Sequence, residues 1–109
     1  MATAYKVLGQ VAPAATTATA VYTVPSATEA VVSSVSVCNR AGSAGTFRLA
    51  VRPDGATLAN QHYLVYDTSI GANDSIILTI GVTMDATDVL EAYASSGDMS
   101  FHAYGSEIS

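Results

Sequence analysis

Four side chains of this sequence could in principle supply a thiol-based catalytic triad: Cys38, His62, His102 and Asp67. In such a triad an imidazole takes the thiol proton and a carboxylate orients the imidazole. The run Ser36-Val37-Cys38-Asn39-Arg40 carries none of the local signatures that surround catalytic cysteines. Cys38 falls in a strand-like run, where a free cysteine commonly serves as a small buried hydrophobe. No enzyme is expected. His62 and His102 lie forty positions apart with no paired cysteine, so a zinc site would have to be assembled wholly by tertiary structure. Asp67, Asp74, Asp85, Asp88 and Asp98 fall in or beside turn signals, where a carboxylate commonly bonds its own backbone. Gathered at one end of a sandwich they would suit a calcium ion, although their spacing is not that of an EF-hand. The expectation is no cofactor and no metal. Gly42-Ser43-Ala44-Gly45 lacks the lysine and spacing that grip phosphates and reads as a hairpin loop. For glycans there is no Trp platform, only six Tyr, several of them in strand-like runs where core packing competes. Asn73-Asp74-Ser75 matches a glycosylation acceptor, but no export signal accompanies it.

The elements that must position these residues are strands. In Thr46 to Arg52, Phe47, Leu49 and Val51 alternate with Thr46, Arg48 and Arg52, a period of two that turns one face inward and one to water. Val31 to Arg40 alternates similarly, with Val31, Val35 and Val37 on one face and Ser34, Ser36 and Arg40 on the other. Further β-rich runs are Tyr5 to Val11, Val21 to Val24, His62 to Tyr66, Ser75 to Val82, Val89 to Ala94 and Met99 to Tyr104. Pro13, Pro25-Ser26, Asn39 to Gly45, Pro53-Asp54-Gly55, Gly71 to Asp74, Asp85 to Asp88 and Ser96-Gly97-Asp98 separate them. Asp85 to Asp88 could instead cap a two-turn helix reaching Ala94, but no apolar stripe is sustained there. The expected fold is an all-β antiparallel sandwich of about eight short strands, jelly-roll or immunoglobulin-like, in one domain over residues 1–109. Residues 1–20 read as a first strand plus an Ala/Thr-rich linker, Ala12 to Ala20, with Met1 to Val11 either an ordinary first strand or an arm that pairs with a neighbouring subunit.

Half of the 109 residues are hydrophobic and only 12 % are charged, which excludes a disordered chain. The net charge of −5 argues against nucleic acid and against an anionic membrane surface, both of which call for a basic patch. No run is long enough to suggest a membrane span. Met1 to Lys6 shows no secretory pattern, and the lone Cys38 forbids an intrachain disulfide, as suits folding in a reducing cytosol. Residues 1–52 hold all four bases and one acid, Glu29, whereas residues 53–109 hold every other acid and no base. Strands of the two halves on different faces would make an electrically polar subunit suited to head-to-tail association; interleaved strands would cancel the asymmetry. Two candidate interfaces follow: Arg48 and Arg52 on the polar face of one strand, facing an acidic partner, and Ser75 to Val82, which reads as apolar on both faces. The second must be a central strand overlaid by a loop, or must meet another subunit through Ile76, Leu78 and Ile80.

Several segments carry a likeness: Tyr5-Lys6-Val7-Leu8-Gly9-Gln10, Tyr22-Thr23-Val24-Pro25, Ala30-Val31-Val32-Ser33, Val37-Cys38-Asn39-Arg40, Thr46-Phe47-Arg48, His62-Tyr63-Leu64, Ala72-Asn73-Asp74, Ala86-Thr87-Asp88-Val89 and Gly105-Ser106-Glu107-Ile108. Through them the chain resembles a group of small structural proteins found among the virion genes of tailed bacteriophages. The resemblance implies a β-sandwich component of the phage particle, assembled in the host cytoplasm. It implies first a capsid cement or decoration subunit, homo-oligomeric, with a trimer as one form, that holds capsid proteins together. Tail, neck or baseplate placement, or a host-glycan-binding appendage, are the alternatives it leaves.

Overall fold

Each of the eight β-rich runs overlaps a strand of the computed structural model, which describes residues 2–109. In chain order these are β1 (Thr3–Val11), β2 (Thr19–Thr23), β3 (Glu29–Asn39), β4 (Gly45–Arg52), β5 (Tyr63–Ile70), β6 (Ser75–Met84), β7 (Val89–Ala94) and β8 (Met99–Ile108). Two 3₁₀ turns, Pro53–Gly55 and Asn60–His62, break the β4–β5 connection. Asp85 to Asp88 forms a turn and the chain continues as β7, so the helical alternative is not taken.

The strands form two four-stranded antiparallel sheets, β1-β8-β3-β6 and β2-β7-β4-β5, the first and second sheets below. The pairs β1·β8, β2·β7, β3·β6 and β4·β5 are those of one long hairpin, and alternate pairs lie in opposite sheets. A hairpin rolled up in this way is a jelly roll. This pairing also decides the charge question. Every neighbouring pair joins a strand from residues 1–52 to one from residues 53–109, so bases and acids interleave. All three ion pairs among the described residues, Lys6–Glu107, Arg48–Asp67 and Arg52–Glu91, cross between the halves. The subunit is therefore not divided into a basic and an acidic half.

Between the sheets Val32, Val35, Val37, Phe101 and Ala103 of the first meet Phe47, Leu49, Leu90, Ala92 and Ala94 of the second, all at most 1 % exposed. Phe47 and Phe101 pack edge to face across the sandwich, centroids 6.1 Å apart. In β4, Phe47 and Leu49 face the core as the period of two predicts. In β3 the expected face changes along the strand. Ser33 is an extra residue relative to β8, a bulge that leaves Val31 half-buried and sends Val32 inward in its place. Register shifts in β1 at Leu8 and in β6 near Gly81 (φ +58°) lie in line with it, so the whole first sheet bends there.

The reading of β6 as apolar on both faces is corrected. Ile76 and Leu78 lie opposite Val37 and Val35 and share their inward face, with Ile80 and Val82 following. The outward face is Ser75, Ile77, Thr79, Gly81 and Thr83, with Ile77 alone large and apolar. Nor is β6 central, since it forms an edge of the first sheet. β1 forms the opposite edge and pairs with β8 of its own chain from Thr3 to Val11. The linker Ala12 to Ala18 then carries the chain across to the second sheet.

Candidate functional site

Opposite residues of an antiparallel pair share a face, so register alone sorts the two outer surfaces. The outer face of the second sheet holds a cluster of charges. Arg48 Nε donates to Asp67 Oδ1 at 2.6 Å, and its guanidinium lies 4.1 Å from the Tyr66 ring centre and 4.2 Å from that of Tyr93. Tyr63 stands edge-on to Tyr66 at 4.8 Å. Asp67 reaches Arg48 from the edge strand β5 at φ +50°, where β5 holds one residue more than β4 between paired positions. The bonds from Arg48 hold the Asp67 carboxyl below its usual range, and the same bonds raise the guanidinium further above its own. Arg52 reaches Glu91 at 3.3 Å and also donates to the Gly55 and Ala56 carbonyls, which fastens the first 3₁₀ turn. Arg52 Nε and Glu91 Oε2 are buried without a hydrogen-bond partner, and Glu91 lines a small depression between Tyr63, Tyr93 and Leu58. Arg48 and Arg52, expected to face an acidic partner, thus find their acids within the chain.

The outer face of the first sheet is different. Register and burial place on it Tyr5, Val7 and Gln10 of β1, then Ser100, His102, Tyr104 and Ser106 of β8. Val31, Ser34, Ser36 and Cys38 of β3 follow, then the outward residues of β6. None of these is Asp, Glu, Lys or Arg. Glu29 and Arg40 stand only at the two ends of the face, Glu29 opposite Ile108 and Arg40 bonded to Ser100. Lys6, between Tyr5 and Val7, ends on Glu107 at 2.7 Å, and Tyr22 of the second sheet donates to the same carboxylate at 2.5 Å. Tyr5 is 86 % exposed and Ile77 71 %. A shallow groove of about 410 Å³ on this face is lined by Tyr5, Lys6, Val31, Ser33, Tyr104, Gly105 and Ser106. Gly105 is dictated by sterics, because a Cβ there would run into the Val31 carbonyl oxygen across the bulge.

The candidate triad is dispersed. Cys38 and His102 share the outer face of the first sheet, whereas Asp67 lies on the second sheet and His62 at the 3₁₀ turn before β5. His102 Nδ1 pairs with Gln10 Nε2 at 3.0 Å and its ring stacks near Tyr104. His62 Nδ1 accepts the Ala59 N–H and closes the second 3₁₀ turn. Of the turn acids, Asp85, Asp88 and Asp74 each accept backbone N–H groups, the turn-forming use expected of them. Among the described residues no three His, Cys, Asp or Glu side chains converge as a metal site. No described helix is long and apolar enough to cross a membrane.

Two structural residues were missed by sequence reasoning. Asn39 is 1 % exposed; its Nδ2 donates to the carbonyls of Ser43 and Gly71, and its Oδ1 accepts the Ala41 N–H. Glu107 gathers Lys6 and Tyr22 from two sheets. A polar residue at the end of a strand was the available signal for both, and it fits many exposed positions equally well. Compared with protein-family models and with curated proteins, the chain matches none.

Proposed function

We propose that this protein is a structural subunit of a bacteriophage particle, acting through protein–protein contacts, with capsid cement or decoration as its role. The observation that carries the reading is the outer face of the first sheet, uncharged between Glu29 and Arg40 at its ends, on a chain of net charge −5. A broad face of Tyr, Val, Ile, Ser and Thr suits close packing against another protein, since such interfaces are depleted in charge and enriched in aromatics at their centre. The jelly roll is an architecture shared by viral capsid and lectin domains, so the fold agrees with the reading while the surface carries it.

The test is a quantitative count of the protein in purified virions. Cement predicts hundreds of copies; about six or twelve would move the subunit to the tail or baseplate, where rings of low symmetry set the number. Absence from virions sinks the proposal. One observation favours a host-glycan-binding appendage as the second reading: the groove is lined by Tyr5 and Tyr104 together with Ser106, and aromatic rings beside a hydroxyl are residue types suited to sugar stacking. A glycan array probed with the wild type and with Tyr5→Ala separates the two, because only the appendage reading expects retention that the substitution abolishes.

A further inference from the structure

Of the four bases, Lys6, Arg48 and Arg52 each meet a carboxylate within the described residues, and Arg40 meets none. In a chain with nine acids, a base left without one is the exception. Arg40 stands exposed just after β3, and its guanidinium is held in place. Its Nε donates to Ser100 Oγ at 3.1 Å and Nη2 to the Gly97 carbonyl at 3.3 Å. Asp98 and Asp74 come near only through main-chain carbonyls, which accept the N–H groups of Arg40 and Asn39. The bonds around Arg40 also fix where its neighbours direct their hydrogens. Ser100 Oγ already accepts from Arg40, so its own hydrogen is left to donate. Gln10 Nε2 is an amide nitrogen and can only donate, so His102 Nδ1 accepts and the neutral ring carries its proton on Nε2. Ser100 and His102 lie two apart on one face of β8, about 6.6 Å along the strand. With Gln10, Val11 and Ala12 they line one shallow hollow of about 330 Å³, which Arg40 adjoins through Ser100.

We infer that this end of the first sheet is a carboxylate site, which takes an aspartate or glutamate side chain of a protein seated on the uncharged face. One held cation and two neutral donors, Ser100 Oγ–H and His102 Nε2–H, stand together there, and no acid lies on the face between Arg40 and Glu29 at its far end. A single positive charge matches the single negative charge of a carboxylate. A phosphate monoester brings about −1.5 to −2, which one arginine does not balance in a chain of net charge −5. Hydrogen bonds from a guanidinium to a carboxylate are roughly twice as strong as those between neutral groups, so an acid is favoured over its amide. The position also fits, because interfaces carry their charge at the rim and this site borders an uncharged centre. The inference rests on the docking reading of that face for the source of the carboxylate. Absence from virions would sink the particle role and leave the binding measurements below unaltered, so the two failures are distinguishable.

The test is an amide-resolved NMR titration at constant ionic strength and neutral pH. Three probes are used: a blocked tripeptide with a central glutamate, the same peptide with glutamine, and glucuronate. The glutamate peptide should give saturable shifts centred on Gln10, Val11, Arg40, Ser100 and His102. Its dissociation constant should lie at least about tenfold below that of the glutamine peptide. Arg40→Gln should weaken the glutamate peptide at least about fivefold, and His102→Phe, which keeps a ring but removes the donor, about threefold. Arg40 is exposed, and unchanged shifts elsewhere in each variant report that the fold is kept. Should Arg40→Gln fail to fold, the peptide pair on the wild type and His102→Phe decide the matter. Shifts scattered over the surface, equal affinity for the two peptides, or affinity that neither variant lowers would each overturn the inference. Glucuronate bound about tenfold tighter than the glutamate peptide would transfer the site to acidic sugars and overturn its assignment to a protein partner.

Discussion

Asn39 illustrates how one side chain can hold two loops. It ends β3, and its amide spans the β3–β4 loop through Ser43 and the β5–β6 turn through Gly71, while its own N–H donates to the Asp74 carbonyl. Truncation to alanine would take this partner from the Ser43 and Gly71 carbonyls and the Ala41 N–H and would leave the buried Ile70 carbonyl without it, and unmet buried polar groups cost about 1–3 kcal/mol. Asn39→Ala should therefore destabilise by about 2–3 kcal/mol in a denaturant melt. Asn39→Asp should fare no better, because it replaces an amide donor by a carboxylate facing carbonyl oxygens. Replacement of Cys38 by Ser, at a half-buried position on the outer face, should shift the midpoint little by comparison.

At the scale of elements, the bulge of β3 at Ser33 depends on a glycine in the strand beside it. Gly105 passes so close to the Val31 carbonyl that β8 can accept no side chain there without moving β3. Gly9 is held in the same way against the Val21 carbonyl, where the two sheets approach. Gly105→Ala should cost about 1–3 kcal/mol or more, since the obstacle is backbone, which cannot swing aside as a flexible side chain would. A thermal melt of that variant beside Gly42→Ala, whose Cβ would meet nothing within 4 Å, provides the control. The same bulge explains why Val31 leaves the face that strict alternation assigns to it. A bulge inserts one residue into one strand, and alternation written along a single strand has no record of its partner's count.

Across the whole molecule, Glu107 links both sheets. Lys6 donates to it first and Tyr22 second, and together they hold its carboxyl below the usual range. A carboxyl depressed on folding adds stability that is present above the unfolded value and is lost as pH falls through the folded one. Asp67, depressed by Arg48, acts with the same sign. Stability should therefore be level near neutrality and decay on acidification through and below about pH 4, and Glu107→Gln together with Asp67→Asn should flatten that limb of the profile. The Tyr22 phenol is raised above its ordinary value of 10 by burial and then by Glu107. Its contribution is fully present below the unfolded value and is lost as pH climbs above it, because the unfolded phenol ionises first and so gains relative to the fold. Alkaline unfolding should begin above about pH 10, and Tyr22→Phe should make that limb less steep.

The amino-acid sequence alone determined that the chain is nearly all strand, where eight strands lie, and which side of β4 faces the core. Those properties rest on local periodicity and turn chemistry, each readable within about ten residues. Only the tertiary structure decided that the rolled hairpin pairs the basic half with the acidic half. It also decided that Arg48 and Arg52 find their acids at Asp67 and Glu91, and that β6 lies at an edge. Strand order depends on contacts between residues far apart in sequence, and patterning within a strand carries no information about which strand lies beside it. For the same reason a face with an uncharged centre, assembled from four separated strands, became visible only after folding had brought them side by side.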